Sequence, residues 1–339
     1  MPIAVDAMGG DHAPTEIVKG AVLAAQTTGV EIALVGRPEA IEPLLPRGGV
    51  PGITIVPAAT EVPMDESPGK AVRYMRDSSM GVAVHMVAAG DASAVVSAGN
   101  SGAIMAFAVM ELRRISGIDR PAIAMPLPTP LGERMLLDAG ANVDCQPENL
   151  VQFAILGSAY CEKALGVERP KVGLLSIGSE SGKGNDQVRA TFDLLEELHA
   201  AGGLNFIGMV EGNHILDGST DVIVCDGFVG NVLLKTVEGV ATTLMGLFKE
   251  AMHQSLLAKV GLVFLYPAFR RMRHKLDYSS YGGALLLGVR GIAVVCHGRS
   301  NAKAIANAIR VADRAAQNQV VDAIAGSCEQ MCNLAARRQ

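Results

Sequence analysis

Four glycine-rich turns carry the side chains best suited to chemistry. Each follows a short apolar run and precedes a stretch with helical spacing. They are Asp6-Ala7-Met8-Gly9-Gly10-Asp11-His12, Ser97-Ala98-Gly99-Asn100-Ser101-Gly102, Gly182-Lys183-Gly184-Asn185 and Gly227-Phe228-Val229-Gly230-Asn231. Glycine lets backbone N–H groups approach a ligand closely, and a helix N-terminus adds unpaired donors and partial positive charge. Turns of this kind gathered on one edge of a sheet would bind an anion. Of the four, the turn at Lys183 contains a lysine, a cation that could meet an anionic substrate. Asn100, Asn185 and Asn231 could orient substrate, but asparagine also caps helices, so residue type leaves both roles open. His12 and His297 lie in glycine-flanked loops, and histidine is the residue type most often used as a catalytic base. Asp6 and Asp11 are metal-ligand types, although Asx-type bonding within the turn is their simpler use.

Other chemistries lack their patterns. Gly178-Ser179-Glu180-Ser181-Gly182-Lys183-Gly184 has the wrong spacing for a phosphate loop of the GxxxxGK[ST] type. No GxGxxG follows the first strand, no HExxH is present, and no GxSxG elbow offers a serine nucleophile. The six cysteines form no CxxC pair, which removes zinc-ribbon and thioredoxin-like readings and leaves reduced, buried thiols of a cytoplasmic protein. What remains is anion binding with no metal and no covalent nucleophile.

The elements that position these turns alternate along the chain. Strands are expected at Ile3–Asp6, Ile32–Val35, Ile53–Val56, Ala94–Ser97, Ala122–Pro126, Met135–Asp138, Val172–Ile177, Phe206–Val210, Val222–Cys225 and Ile292–Cys296. Helices are expected at Pro14–Thr28, Ser101–Ser116, Pro147–Leu165, Asp186–Ala200 and Asn301–Ala325. Continuous apolar strands separated by helices specify a mostly parallel sheet covered on both faces, a three-layer α/β/α sandwich. The 339 residues suffice for one large domain or two smaller ones, and a hydrophobic content of 49% with 4% aromatics predicts an aliphatic core. A net charge of −5 argues against general nucleic-acid binding. No basic, apolar leader opens the chain, and no apolar run reaches the about 20 residues needed to span a bilayer.

Residues 232–275 break the rhythm. Val237, Val240, Leu244, Leu247 and Phe248 share one face of a long helix. An apolar stretch with Lys259, Leu262, Val263 and Phe264 follows, then the basic run Arg270, Arg271, Arg273 and Lys275. This reads as a helical hairpin protruding from a core of residues 1–231 and 276–330, with 331–339 as a tail. Its stems suit a core or dimer interface. Its tip suits a lipid surface or an acyl chain, and its basic flank an acidic partner.

Taken in order, AVDAMGGDHAP, DSSM, VSAGNSGA, RPAIAMPLPT, LLDAGANVDCQPENLVQFAILGS, LLSIGSESGKGN, GFVGN and YGGALLLGV resemble the bacterial phosphate acyltransferase family, PlsX. The likeness runs from about residue 2 to about residue 310. Two positions depart from the pattern: Ser101 replaces threonine, and Leu285 replaces the proline of YGGAP, which touches local loop shape.

The resemblance implies attack of orthophosphate on the thioester of a long-chain acyl–acyl carrier protein. Acyl-phosphate and free carrier protein would result, for phospholipid synthesis by a membrane glycerol-3-phosphate acyltransferase. It also implies a fold like isocitrate and isopropylmalate dehydrogenases, a homodimer, no nicotinamide cofactor, and a cytoplasmic enzyme reversibly bound to the inner face of the membrane. Lys183 and Asn231 match the family's KGN and GF(T/V)GN motifs and take the catalytic roles. Gly9, Gly10, Asp11, His12, Ser97, Gly99, Asn100, Ser101, Gly102, Gly184, Asn185 and Gly230 would line the substrate. Rivals on the same fold are a coenzyme A-dependent acyltransferase and a metal-dependent decarboxylating dehydrogenase. A membrane scaffold that recruits carrier protein is the non-enzymatic alternative.

Overall fold

A computed structural model describes residues 1–253 and 282–336. Eleven strands form one sheet in the order β3-β2-β1-β4-β11-β10-β5-β6-β9-β7-β8. They are β1 (Ile3–Asp6), β2 (Ile32–Gly36), β3 (Ile53–Pro57), β4 (Ala94–Ser97), β5 (Ala122–Thr129), β6 (Gly132–Leu137), β7 (Lys171–Ser176), β8 (Asn205–Glu211), β9 (Val222–Val224), β10 (Ala284–Leu287) and β11 (Ile292–Val295). The first half, β3 to β11, is parallel throughout. So is the second, β6 to β8. Between them β10 runs antiparallel to both β11 and β5, and β5 runs antiparallel to β6.

The main helices are α1 (Thr15–Thr28), α2 (Pro38–Ile41), α3 (Pro68–Tyr74), α4 (Ser79–Ala89), α5 (Ser101–Phe107), α6 (Pro147–Ala164), α7 (Asp186–Ala200), α8 (Gly227–His253), α9 (Ala302–Gln317) and α10 (Val320–Ala336). Strand side chains alternate between faces. Ile3 and Val5 enter the core under α1, α6, α7, α9 and α10, whereas Ala4 faces α3, α4 and α5. A smaller cluster, Leu136, Ile223 and Cys225 with Leu233 of α8, covers that second face in the other half. The result is the expected three layers.

Several expectations need correction. The strand β10 is not foreseen, and Leu285 lies in it between Ala124 and Val294, not in a loop. The helix from Ser101 is α-helical only to Phe107 and continues as a π-helix, Ala108–Leu112. The segment from Asn301 divides into α9 and α10, around Gln319 at φ 50°. Gly227 to Asn231 is not a turn before a helix but the start of α8, which runs unbroken through residue 232. Lys259, Leu262, Val263, Phe264, Arg270, Arg271, Arg273 and Lys275 lie outside the described residues.

The two halves are each organised by one buried aspartate at a strand end. The Asp6 carboxylate, 1% exposed, accepts from Ser79 Oγ at 2.6 Å, Ser97 Oγ at 2.7 Å and the Met8 N–H at 3.3 Å. That of Asp138, 0% exposed, accepts from the backbone N–H groups of Ile123, Gly140, Ala141 and Asn142 and from Asn142 Nδ2, at 2.6–3.1 Å. Burial pushes both carboxyls up in pKa, and these donors pull them back. Every Asp138 partner is a donor, so an amide in its place would set an NH2 against N–H groups. Asp138→Asn is expected to destabilise the fold by about 2–3 kcal/mol, read as a lowered urea midpoint with an unchanged slope.

Candidate active site

In the first half, three loops pack around Asp6. A Cβ on Gly9 would lie 2.3 Å from Asp6 Oδ2, and one on Gly99 would lie 3.3 Å from the same oxygen. Ser97 is buried, donating to Asp6 and accepting from the Gly99 N–H at 3.0 Å. Gly10, at φ 109°, packs on Ala98 and on the Gly298 carbonyl, which accepts from the Asp11 N–H at 2.8 Å. Asn100 Oδ1 caps α5 through the Ala103 N–H at 3.0 Å. Its Nδ2 donates to the carbonyls of Met64 at 2.9 Å and Glu66 at 2.8 Å. Both ends of that amide therefore hold the scaffold. Asp11, His12 and Ser101 are exposed on the same loops, and Gly102 packs against Pro68.

In the second half, Lys183 is exposed on the turn before α7, with its N–H bonded to the Glu180 carbonyl at 3.0 Å and its stem against Gly178. Gly184 takes φ 88°, a left-handed value that favours glycine. Asn185 Oδ1 caps α7 through the Val188 N–H at 2.9 Å. Two residues on, Gln187 Nε2 donates to the Cys145 carbonyl at 2.7 Å. That bond ties the Lys183 turn to the Asp138 loop. Asn231 meets the same loop from the other side: a Cβ on Gly140 would lie 3.4 Å from Asn231 Cβ. The cap of α8 is Asp226, whose Oδ1 accepts from the Val229 N–H at 2.8 Å. Asn231 is thus an exposed residue within the helix and is not its cap. Gly230 allows this docking, since a Cβ there would lie 1.9 Å from the Asp138 carbonyl oxygen.

The turns do not share one sheet edge, as the glycine pattern leads one to expect. They follow strand ends, but the two halves run in opposite directions along the ladder. Gly9–His12 and Ser97–Gly102 leave one rim; Lys183 and Gly230–Asn231 leave the other. A direct contact joins them: Lys235 Nζ of α8 lies 3.0 Å from Nε2 of His297, beyond β11. Sequence reading missed Lys235, Asp138 and Asp226. A signal for Asp138 was present, because Asp6-Ala7 and Asp138-Ala139 both follow an apolar strand and precede a glycine-containing loop.

Residues 1–323 match the family described as "Fatty acid synthesis protein". The chain belongs to that family. A phosphate acyltransferase of Desulfitobacterium hafniense (strain Y51) is 52% identical over 326 residues, covering 96% of each chain. One of Heliobacterium modesticaldum is 50% identical, covering 98% of this chain and all of its own. Family membership makes the chain an acyltransferase enzyme of fatty acid and phospholipid synthesis. Among solved structures, a Streptococcus pyogenes phosphotransacetylase superposes with a TM-score of 0.62 at 17% identity, covering 94% of each chain. The 4-hydroxythreonine-4-phosphate dehydrogenase of Klebsiella pneumoniae gives 0.58 at 13%, covering 93% of this chain and 99% of its own. These two share the fold, which agrees with the expected dehydrogenase-like sandwich.

The Gly230 contact gives a test. Gly230→Ala forces a methyl into a backbone carbonyl and is expected to cost about 3 kcal/mol or more. Gly239→Ala, in the same helix with nothing within 4 Å of the added Cβ, should be neutral or stabilise by up to about 1 kcal/mol. Thermal unfolding of both variants checks the contrast.

Proposed function

We propose that the enzyme transfers a long-chain acyl group from the thioester of acyl carrier protein directly to orthophosphate. The observation that supports this most is the bond from Gln187 to Cys145, which holds the Lys183 turn beside the loop that seats Asn231. The reaction needs no protein nucleophile, because phosphate attacks the thioester carbon itself. Hydrogen phosphate forms the new C–O bond, the C–S bond breaks, and the proton of hydrogen phosphate ends on the departing thiol. The protein must hold the anion, align it, and stabilise the oxyanion. Lys183 and the α7 N-terminus suit the first task. Asn231 suits orientation of the carbonyl or phosphate. Gly184, Asn185 and Gly230 shape this side, and the loops bearing Gly9–His12 and Ser97–Gly102 form the facing side.

A homodimer fits α8, where Val240, Leu244 and Leu247 are each about half exposed, at 52%, 47% and 57%. A second copy of the chain would cover this face. Among the described residues no helix is long and apolar enough to cross a membrane. We assign Leu262, Val263 and Phe264 a reversible contact with the inner face of the membrane, near the glycerol-3-phosphate acyltransferase that would consume the product. The basic residues Lys259, Arg270, Arg271, Arg273 and Lys275 would attract carrier protein.

Lys183→Ala is expected to stay folded and dimeric while losing about 100–1000-fold in rate. The assay is orthophosphate-dependent release of carrier-protein thiol from a long-chain acyl carrier protein. Near-normal turnover would remove Lys183 from the mechanism. Replacing Leu262, Val263 and Phe264 by Asp should abolish flotation with anionic vesicles; unchanged flotation would remove these three residues from a membrane contact.

A further inference from the structure

Ser176 is the last residue of β7, where the chain leaves the sheet for the Lys183 turn. Strand alternation puts its side chain on the face of Val172 and Leu174, which α6 and α7 cover. Its Oγ is buried and has no hydrogen-bond partner among the described residues. Glu211, its register partner on β8, takes no bond from it. Gly184 closes over the hydroxyl: a Cβ there would lie 3.1 Å from Ser176 Oγ and 2.7 Å from Val188 Cγ1.

The first half shows what such a hydroxyl does when the scaffold uses it. Ser97 also ends a strand, β4, ahead of a helix capped by asparagine. It donates to Asp6 at 2.7 Å and accepts from the Gly99 N–H at 3.0 Å. Ser176 precedes α7, capped in the same way by Asn185, yet makes neither kind of bond. Leaving a buried hydroxyl unpaired is unfavourable, so packing alone would be served at least as well by alanine.

We propose that Ser176 is a positioning residue for orthophosphate. With the anion bound, its hydroxyl accepts from a backbone N–H of Gly184 or Asn185. That bond holds the turn so that Lys183 Nζ and the first N–H groups of α7 face the anion. Gly184, with no Cβ, puts nothing between the hydroxyl and the turn's backbone. The anion favours this position of the turn because Lys183 meets it there. Ser176 acts through the turn and touches no substrate. The proposal rests on the reading of Lys183 as the cation that holds phosphate.

Thr220 supplies the control. Its hydroxyl is also buried and without a partner among the described residues. It precedes β9 and so lies at the opposite end of the strands from the Lys183 turn.

The test compares Ser176→Ala and Thr220→Val in the full chain. Without anion, neither variant removes a bond, so neither should lower the urea midpoint. In calorimetric titration with inorganic phosphate, Ser176→Ala should bind about three- to tenfold more weakly, and Thr220→Val should be unchanged. The KM of Ser176→Ala for orthophosphate should rise by the same factor while its KM for acyl carrier protein stays put. Unchanged phosphate affinity in Ser176→Ala overturns the proposal. A lowered midpoint of that variant without anion also overturns it, since the hydroxyl would then be holding the scaffold already. A protein that loses phosphate affinity in Ser176→Ala yet never consumes orthophosphate would refute the proposed reaction and keep the positioning role. One that consumes orthophosphate with an unaltered KM in Ser176→Ala would do the reverse.

Discussion

Asp6 and Asp138 each bury a carboxylate where a strand ends, and a buried charge is tolerated only when donors surround it. Those donors come from the loops and from the ends of the strands and helices beside them. Ser79 at the start of α4 and Ser97 at the end of β4 reach Asp6, and four consecutive or nearby backbone groups wrap Asp138. Each carboxylate thus dictates the path of the chain immediately above the sheet. The exposed groups assigned to chemistry, Lys183 and Asn231 among them, stand on or beside backbone that these two centres fix. The proposed site would have hydrogen-bonded backbone beneath it and exposed side chains above, which is the arrangement that preorganised anion binding needs.

The glycines follow from the same constraint. A loop drawn tightly over a carboxylate leaves no volume for side chains, so Gly9 and Gly99 close over Asp6, and Gly230 closes on the Asp138 backbone. Asparagine serves a related purpose. Asn100 and Asn185 spend their carbonyl oxygens on helix N-termini, which turns the first helical N–H groups away from solvent and sets the entry angle of α5 and α7. Asn231 differs because Asp226 already caps its helix. Its amide is the one of the three not committed to a helix end.

Much of this was legible beforehand. Strands covered on both faces appear as continuous apolar runs, so β1, β4 and β11 stand out. The tight glycine turns mark where they end. Three things were not legible, each for a physical reason. Strand direction depends on pairing partners far apart in sequence, so the opposed halves could not be read from local pattern. Gly227 to Asn231 looks like a turn because Gly is a poor helix former, yet here the close approach to Asp138 outweighs propensity. Lys235 and His297 are 62 residues apart, and nothing in the spacing of either announces the other.

The order of the sheet has a consequence for how the protein is made. The strands that join its halves, β11 beside β4 and β10 beside β5, come from residues 284–295, near the end of the chain. The helix that packs on α1, α9, is later still; a Cβ on Gly20 of α1 would lie 2.6 Å from Ile305 Cβ. During synthesis β4 and β5 must therefore wait with an unpaired side each, and open strand edges invite pairing with other chains. An incomplete polypeptide, cut short even by a fifth, would present two adhesive borders and lack the seam that closes them. Quality control of nascent chains bears directly on the supply of this enzyme.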